Sequence, residues 1–169
     1  GVIEEYIGPG GDVVIPAEID GVPTVEIAQR AFLDNSDVTG VIIPEGVERI
    51  GHEAFKSCSN LVKIELPYSL YHLGSEVFAF TAITEIVIPS GLAQIPYGTF
   101  CGCSSLKDIK ISNGVKEVHT NAFHTTIPSR VIFPESVELI AAYAFGYVRT
   151  DSRIEFILCN PDLDLGREV

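Results

Sequence analysis

Methionine and tryptophan are absent from this 169-residue chain, and basic residues are scarce: 11 Lys and Arg stand against 23 Asp and Glu, a formal net charge of −12. No basic stripe is available to neutralise phosphates, so nucleic acid is excluded as an expected partner. Long apolar runs are missing too. Pro, Gly or a charge breaks every hydrophobic stretch before the roughly 18 residues that a membrane helix needs, and no direct membrane insertion is expected. The four cysteines, Cys58, Cys101, Cys103 and Cys159, are too few and too irregular for a disulfide scaffold, and no C-x-x-C pair is present for zinc. There is no Asn-x-Ser/Thr acceptor for N-glycosylation. With no methionine and an opening Gly1, the expectation is a natural start upstream, with room for a removed signal peptide. What is present argues for a folded domain: 46% of residues are apolar and 20% charged, and the length suits a single domain spanning 1–169.

Internal periodicity decides the architecture. Aligned on a closing aromatic, the chain reads VIIPEGVERIGHEAF, IELPYSLYHLGSEVF, IVIPSGLAQIPYGTF, IKISNGVKEVHTNAF and VIFPESVELIAAYAF. The closing residues are Phe32, Phe55, Phe78, Phe100, Phe123 and Phe145, at spacings of 23, 23, 22, 23 and 22. In the five aligned copies the Pro slot (Pro44, Pro67, Pro89, Ser112, Pro134) precedes the Phe by 11 residues, so the loop after each Phe absorbs the one-residue slack. Each copy opens on an alternating pair such as Val41 and Ile43 or Val131 and Phe133, the period of a short strand. Proline and a turn end it. Two further apolar slots follow, Val47 and Ile50 in the first aligned copy and Val137 and Ile140 in the last. A small slot before each Phe (Ala54, Val77, Thr99, Ala122, Ala144) predicts a cramped turn, 3₁₀ or a single helical turn, that points the ring inward. One repeat cannot bury these residues alone, whereas stacked repeats can.

The segment Leu61-Val-Lys-Ile-Glu-Leu-Pro-Tyr-Ser-Leu-Tyr-His-Leu-Gly-Ser-Glu-Val-Phe78, preceded by Ala54-Phe55-Lys-Ser-Cys58-Ser-Asn, resembles the unit of BspA-type leucine-rich repeats. The likeness covers roughly residues 13 to 169, with local departures at Ser112, His119, Ala141 and Pro96. It implies a leucine-rich-repeat solenoid, a right-handed superhelix of the β/α type but rich in β. Each unit would hold one short parallel strand and a second segment that is extended, 3₁₀ or briefly helical. The resemblance also implies a bacterial secreted or cell-surface location and a role in adhesion.

Residues 1–23 read as an N-terminal cap that leads into a long first repeat, with Asp20-Gly21 between Ile19 and Val22 as a hairpin signal. At the other end residues 153–169 form an incomplete repeat: Leu165-Gly166-Arg167-Glu168-Val169 copies Ile50-Gly51-His52-Glu53-Ala54 and stops before its Phe. The expectation is a piece of a longer array with an apolar C-terminal surface.

No constellation of catalytic groups stands out. Cys58 and Cys103 share the slot three residues after the Phe with Thr81, Thr126 and Val148, which points to small core side chains two copies apart and beyond disulfide reach. Cys101-x-Cys103 lacks the second ligand pair of a metal site. His52, His72, His119 and His124 occupy four different repeat slots and make no ladder. Gly8-Pro9-Gly10-Gly11-Asp12 lacks the Gly-Lys-Ser/Thr of a phosphate loop, and Asp162-x-Asp164-x-Gly166 with Glu168 is half of a calcium loop, better read as a repeat turn. No cofactor or metal is expected.

The outward strand slots carry the candidate interaction face. One row reads Val14, Ile42, Glu65, Val87, Lys110, Ile132 and the next Gly40, Lys63, Glu85, Asp108, Arg130. Lys63 beside Glu85 and Asp108 beside Arg130 are expected ion pairs, and Ile42, Val87 and Ile132 are outward apolar residues that either mark a partner surface or simply suit a strand. The reading is a monomeric, non-enzymatic extracellular module that binds a host or cell-surface protein or a glycan. Its alternatives are a structural spacer in a larger surface protein and a glycan-active enzyme of the β-helix kind, for which Glu85, Asp108 and Arg130 would be the nearest residues.

Overall fold

The computed structural model describes residues 1–146 and 155–166. The alternating stretches form strands and so do the second apolar slots. In chain order the N-terminal strands are β1 (Val2–Ile3), β2 (Gly11–Val14), β3 (Glu18–Ile19), β4 (Val22–Pro23), β5 (Glu26–Ile27), β6 (Val38–Ile42), β7 (Arg49–Ile50), β8 (Lys63–Glu65) and β9 (His72–Leu73). They continue as β10 (Glu85–Ile88), β11 (Gln94–Ile95), β12 (Asp108–Ile111), β13 (Glu117–Val118), β14 (Arg130–Phe133), β15 (Leu139–Ile140), β16 (Glu155–Leu158) and β17 (Asp164–Leu165).

Alternate strands stack into two parallel faces. The front face runs β2-β6-β8 and then β10-β12-β14-β16; the back face runs β1-β5-β7-β9 and then β11-β13-β15-β17. The outward rows fall into register as expected, with Ile42 opposite Glu65, Val87 opposite Lys110 and Lys110 opposite Ile132. They do not run unbroken, because no pairing joins β8 to β10 or β9 to β11. The Asp20-Gly21 hairpin forms as its sequence predicts: β3 and β4 pair antiparallel, and both turn residues take positive φ, 51° and 77°.

The third side is the Phe edge. The cramped turn expected there is present, but as hydrogen-bonded turns: among the described residues there is no helix of any kind. The helical part of the β/α form implied by the resemblance is therefore replaced by extended chain and turns. Two residues per turn sit in the left-handed region, flanking the Phe at minus two and plus two. Arg30, Glu53, Glu76, Asn121 and Tyr143 hold the first position and Asp34, Ser57, Phe80 and Thr125 the second, all with φ between 55° and 62°. This alternation aims every second N–H at the next repeat. Glu53 N–H donates to Ser75 O (3.0 Å), Phe55 N–H to Val77 O (2.9 Å) and Ser57 N–H to Ala79 O (2.8 Å), so the turns form a backbone ladder of their own. Non-Gly residues at positive φ cost about 1–2 kcal/mol each, and the recurring ladder bonds hold them there.

Inside, the rings stack: Phe32–Phe55 4.6 Å, Phe55–Phe78 5.6 Å, Phe78–Phe100 5.4 Å, Phe100–Phe123 5.3 Å and Phe123–Phe145 4.9 Å between centroids. Tyr6 extends the stack, 4.7 Å from Phe32, and β1 pairs with β5. The start of the cap segment thus behaves as a shortened repeat end. The period hides it because Tyr6 lies 26 residues before Phe32, outside the 22 to 23 spacing.

Candidate functional site

Strand alternation puts every second front-face side chain outward. Ile42, Lys63, Glu65, Glu85, Val87, Asp108, Lys110, Arg130 and Ile132 are all exposed, while their neighbours Val41, Ile64, Ile86, Ile109 and Val131 are buried. A groove of about 630 Å³ crosses this face, and eight of the nine candidates line it. Ile42 lies outside. Leu66, Tyr68 and Pro89 also line it at the strand ends; Tyr68 and Pro89 belong to the proline turn, where the two-residue period of the strand no longer reports on facing. Tyr68 is 77% exposed, and its one sign in the sequence is an aromatic in the turn slot that Glu45, Ser90, Asn113 and Glu135 hold in other repeats.

The charges pair differently from the expectation. Lys63 reaches Glu65 on its own strand (2.8 Å), and Arg130 reaches Glu155 on β16 (3.4 Å); neither Lys63–Glu85 nor Asp108–Arg130 forms an ion pair. Glu65 projects from the same strand on the same face as Lys63, and Arg130 turns to Glu155 although Asp108 is its register partner. The Glu65 carboxylate raises the Lys63 ammonium above its usual range, with lesser help from Glu85 and Asp12. Glu85 and Asp108 stand in register on neighbouring strands, and among the described residues neither they nor Lys110 enter an ion pair within 4.0 Å. The groove floor therefore presents two carboxylates, one ammonium and the apolar Val87 and Ile132 without internal neutralisation.

A longer ionic chain lies on the Phe edge instead. Arg30 meets Glu53 (2.7 Å), Glu53 meets Lys56 (2.6 Å) and Lys56 meets Glu76 (2.6 Å). Hydrogen bonds from Lys56 and then Arg30 hold the Glu53 carboxyl below its usual range, and Glu53 and Glu76 together raise Lys56. A smaller cavity of about 400 Å³ on the back face is lined by the Glu26–Arg49 pair (2.8 Å) and by His52 and His72. His52 Nδ1 accepts the Ser75 N–H (3.1 Å), and His119 contacts Glu117 (3.0 Å).

The cysteine slot proves to be a hydrogen-bonding position as well as a small one. Cys58 Sγ–H donates to Phe32 O (3.0 Å), Cys103 to Phe78 O (3.0 Å) and Thr126 Oγ1–H to Phe100 O (2.7 Å), each tying its repeat to the one before. Thr81 differs, turning its Oγ1–H to Phe78 O in its own repeat (2.9 Å), so the slot takes a small donor of either kind without fixing its acceptor; Val148 lies outside the described residues. Burial pushes the Cys58 thiol up to about 12 and Cys103 to about 11. Cys159 is exposed. In native buffer a thiol reagent should label Cys159 rapidly and leave Cys58 and Cys103 untouched until the protein unfolds; prompt labelling of either would contradict their core position. Of the half calcium loop, Glu168 lies outside the described residues. Among those described, no three His, Cys, Asp or Glu side chains are grouped to hold a metal ion.

The family model described as BspA type Leucine rich repeat region matches six copies across residues 25–150. A leucine-rich repeat protein of T. pallidum, TpLRR, is similar in structure with a TM-score of 0.88 and 32% identity, over 98% of this chain and 77% of that one. A leucine-rich cell surface protein from Faecalibacterium prausnitzii shares the fold at TM-score 0.67 and 23% identity, over 96% of this chain and 50% of that one. The pneumococcal vaccine antigen PcpA does so at 0.76 and 20%, over 92% and 42%. No curated protein matches the chain.

Proposed function

Since this chain belongs to the BspA-type leucine-rich repeat family, we propose that it is a non-enzymatic interaction module of a bacterial surface protein, with the front-face groove as its recognition site. The observation that carries this reading is the groove itself: about 630 Å³ along the array, lined by Glu85, Asp108 and Lys110, which enter no ion pair among the described residues, and by exposed Val87 and Ile132. Such a mixture suits recognition of a protein or glycan surface, where apolar contact supplies affinity and charges set register. Similarity to a leucine-rich cell surface protein of Faecalibacterium prausnitzii supports an extracellular setting.

A panel of extracellular-matrix proteins and glycans is screened with the native domain and with a Val87→Ser/Ile132→Ser variant, while Ile42→Ser serves as a control outside the groove. Native binding that the double variant weakens by about ten-fold or more, roughly 1.4 kcal/mol, and that the control retains is the expected result. Binding that survives the double variant would move the site elsewhere, and no binding at all would favour the spacer.

A further inference from the structure

We infer that the junction between β8 and β10 divides the array into two cooperative blocks, which open from each other along the Phe edge while each stays folded. From the repeat of β2 and β5 onward, the front and back faces are both paired at every other described junction, but here both are interrupted between the same two repeats. The cause on the back face is in the sequence. There Gly51 N–H donates to Ile27 O (2.8 Å), Gly74 to Ile50 O (2.8 Å), His119 to Ile95 O (2.9 Å) and Ala141 to Val118 O (2.8 Å). The residue that would reach Leu73 O from the same slot is Pro96, which has no N–H to give. On the front face one bond remains, Thr84 N–H to Val62 O at 3.2 Å.

The Phe edge, by contrast, is intact and reinforced. Glu76, Phe78 and Phe80 donate to Tyr97, Thr99 and Cys101 at 2.9, 2.9 and 2.8 Å. Cys103 bonds back to Phe78 O, and the Phe78 and Phe100 rings stack. Phe80 is half exposed in a slot held elsewhere by Asp34, Ser57 and Thr125, and its ring lies over Gly102, where any Cβ would come within 2.4 Å of it. An exposed aromatic at positive φ is thus used as a clasp at the one junction whose other two sides are open. In a stacked array each repeat interface contributes its own share of stability, so the interface with the fewest bonds is where partial opening concentrates. The groove crosses this line, and an occupant that touches both sides would favour the closed arrangement.

The strand register aims the N–H groups of Ile64, Leu66, Glu85 and Val87 at the gap and those of Ile109, Ile111, Arg130 and Ile132 at the paired β12–β14 junction. Native-state hydrogen exchange of the chain across a urea series reads both sets. The first set is expected to exchange about ten-fold or more faster than the second, and the protected amides of β1–β9 and of β10–β15 to fall on two separate urea-dependence curves. Phe80→Ser is expected to speed the gap amides further and leave the β12–β14 set unchanged. A single common curve, with the gap amides protected as strongly as the others, overturns the inference; an unchanged gap in Phe80→Ser overturns the Phe edge as its hinge. Neither result depends on whether the groove binds anything.

Discussion

Phe78→Ala lowers the stability of the chain by about 3–5 kcal/mol, as truncation of a fully buried ring does. Phe78 has 0% exposure, stacks on Phe55 at 5.6 Å and on Phe100 at 5.4 Å, and its backbone is a rung of the turn ladder. Removing the ring leaves a void between two other rings that cannot close, since their own backbones are fixed by the same ladder. Equilibrium urea unfolding followed by far-UV circular dichroism measures the loss as a lower midpoint. A midpoint equal to that of the parent would mean that the stack is not the core of the array. The loss should also fall more heavily on the junction between the two blocks than Phe55→Ala would, because Phe78 faces the repeat whose sheet pairing is missing.

The second large effect is expected at a ring outside the stack. Phe133 occupies the inward strand slot that holds Ile43, Leu66, Ile88 and Ile111 in other repeats. It is fully buried, edge-on to Phe145 at 6.1 Å and 86°, and near Phe156 at 6.0 Å. Phe133→Ala should cost about 3–5 kcal/mol, whereas Phe133→Leu should cost less than about 1.5 kcal/mol because the slot accepts a branched aliphatic elsewhere. The pair of urea midpoints checks this. Equal losses for Ala and Leu would show that the aromatic contacts with Phe145 and Phe156, and not the volume, are what the site requires.

Much of the fold was legible from the repeats themselves. The period located the Phe column, the strand slots and the loop that absorbs length variation, because a solenoid writes each structural position once per turn. Alternation correctly sorted Ile64 from Lys63 and Ile86 from Val87. The left-handed positions were not legible, since Glu53, Ser57, Glu76 and Tyr143 are not residues that announce positive φ; the hydrogen-bonded turn imposes it. The role of the Cys and Thr slot was half legible: its size could be inferred from the row, but the acceptor that Cys58 and Thr126 reach, the Phe carbonyl one repeat earlier, is a neighbour only in space.

The candidate face divides in the same way. Which side chains point outward follows from a period of two, so the sequence alone named eight groove residues. Which charges meet does not follow, because a period of two says nothing of where a long side chain reaches: Lys63 turns to Glu65 on its own strand, and Arg130 to Glu155 rather than to its register partner Asp108. Pro96 was visible as a departure from the repeat, yet it is a minor change within its own turn. Its effect arises across the stack, where it lacks the N–H that would reach the carbonyl of Leu73 in the neighbouring repeat. The sequence by itself determined the repeat, its core columns and its outward rows, since these are local patterns of polarity. Only the tertiary structure decided the groove, the pairing of its charges and the line on which the array is weakest, since these depend on contacts between residues about 22 apart in the chain.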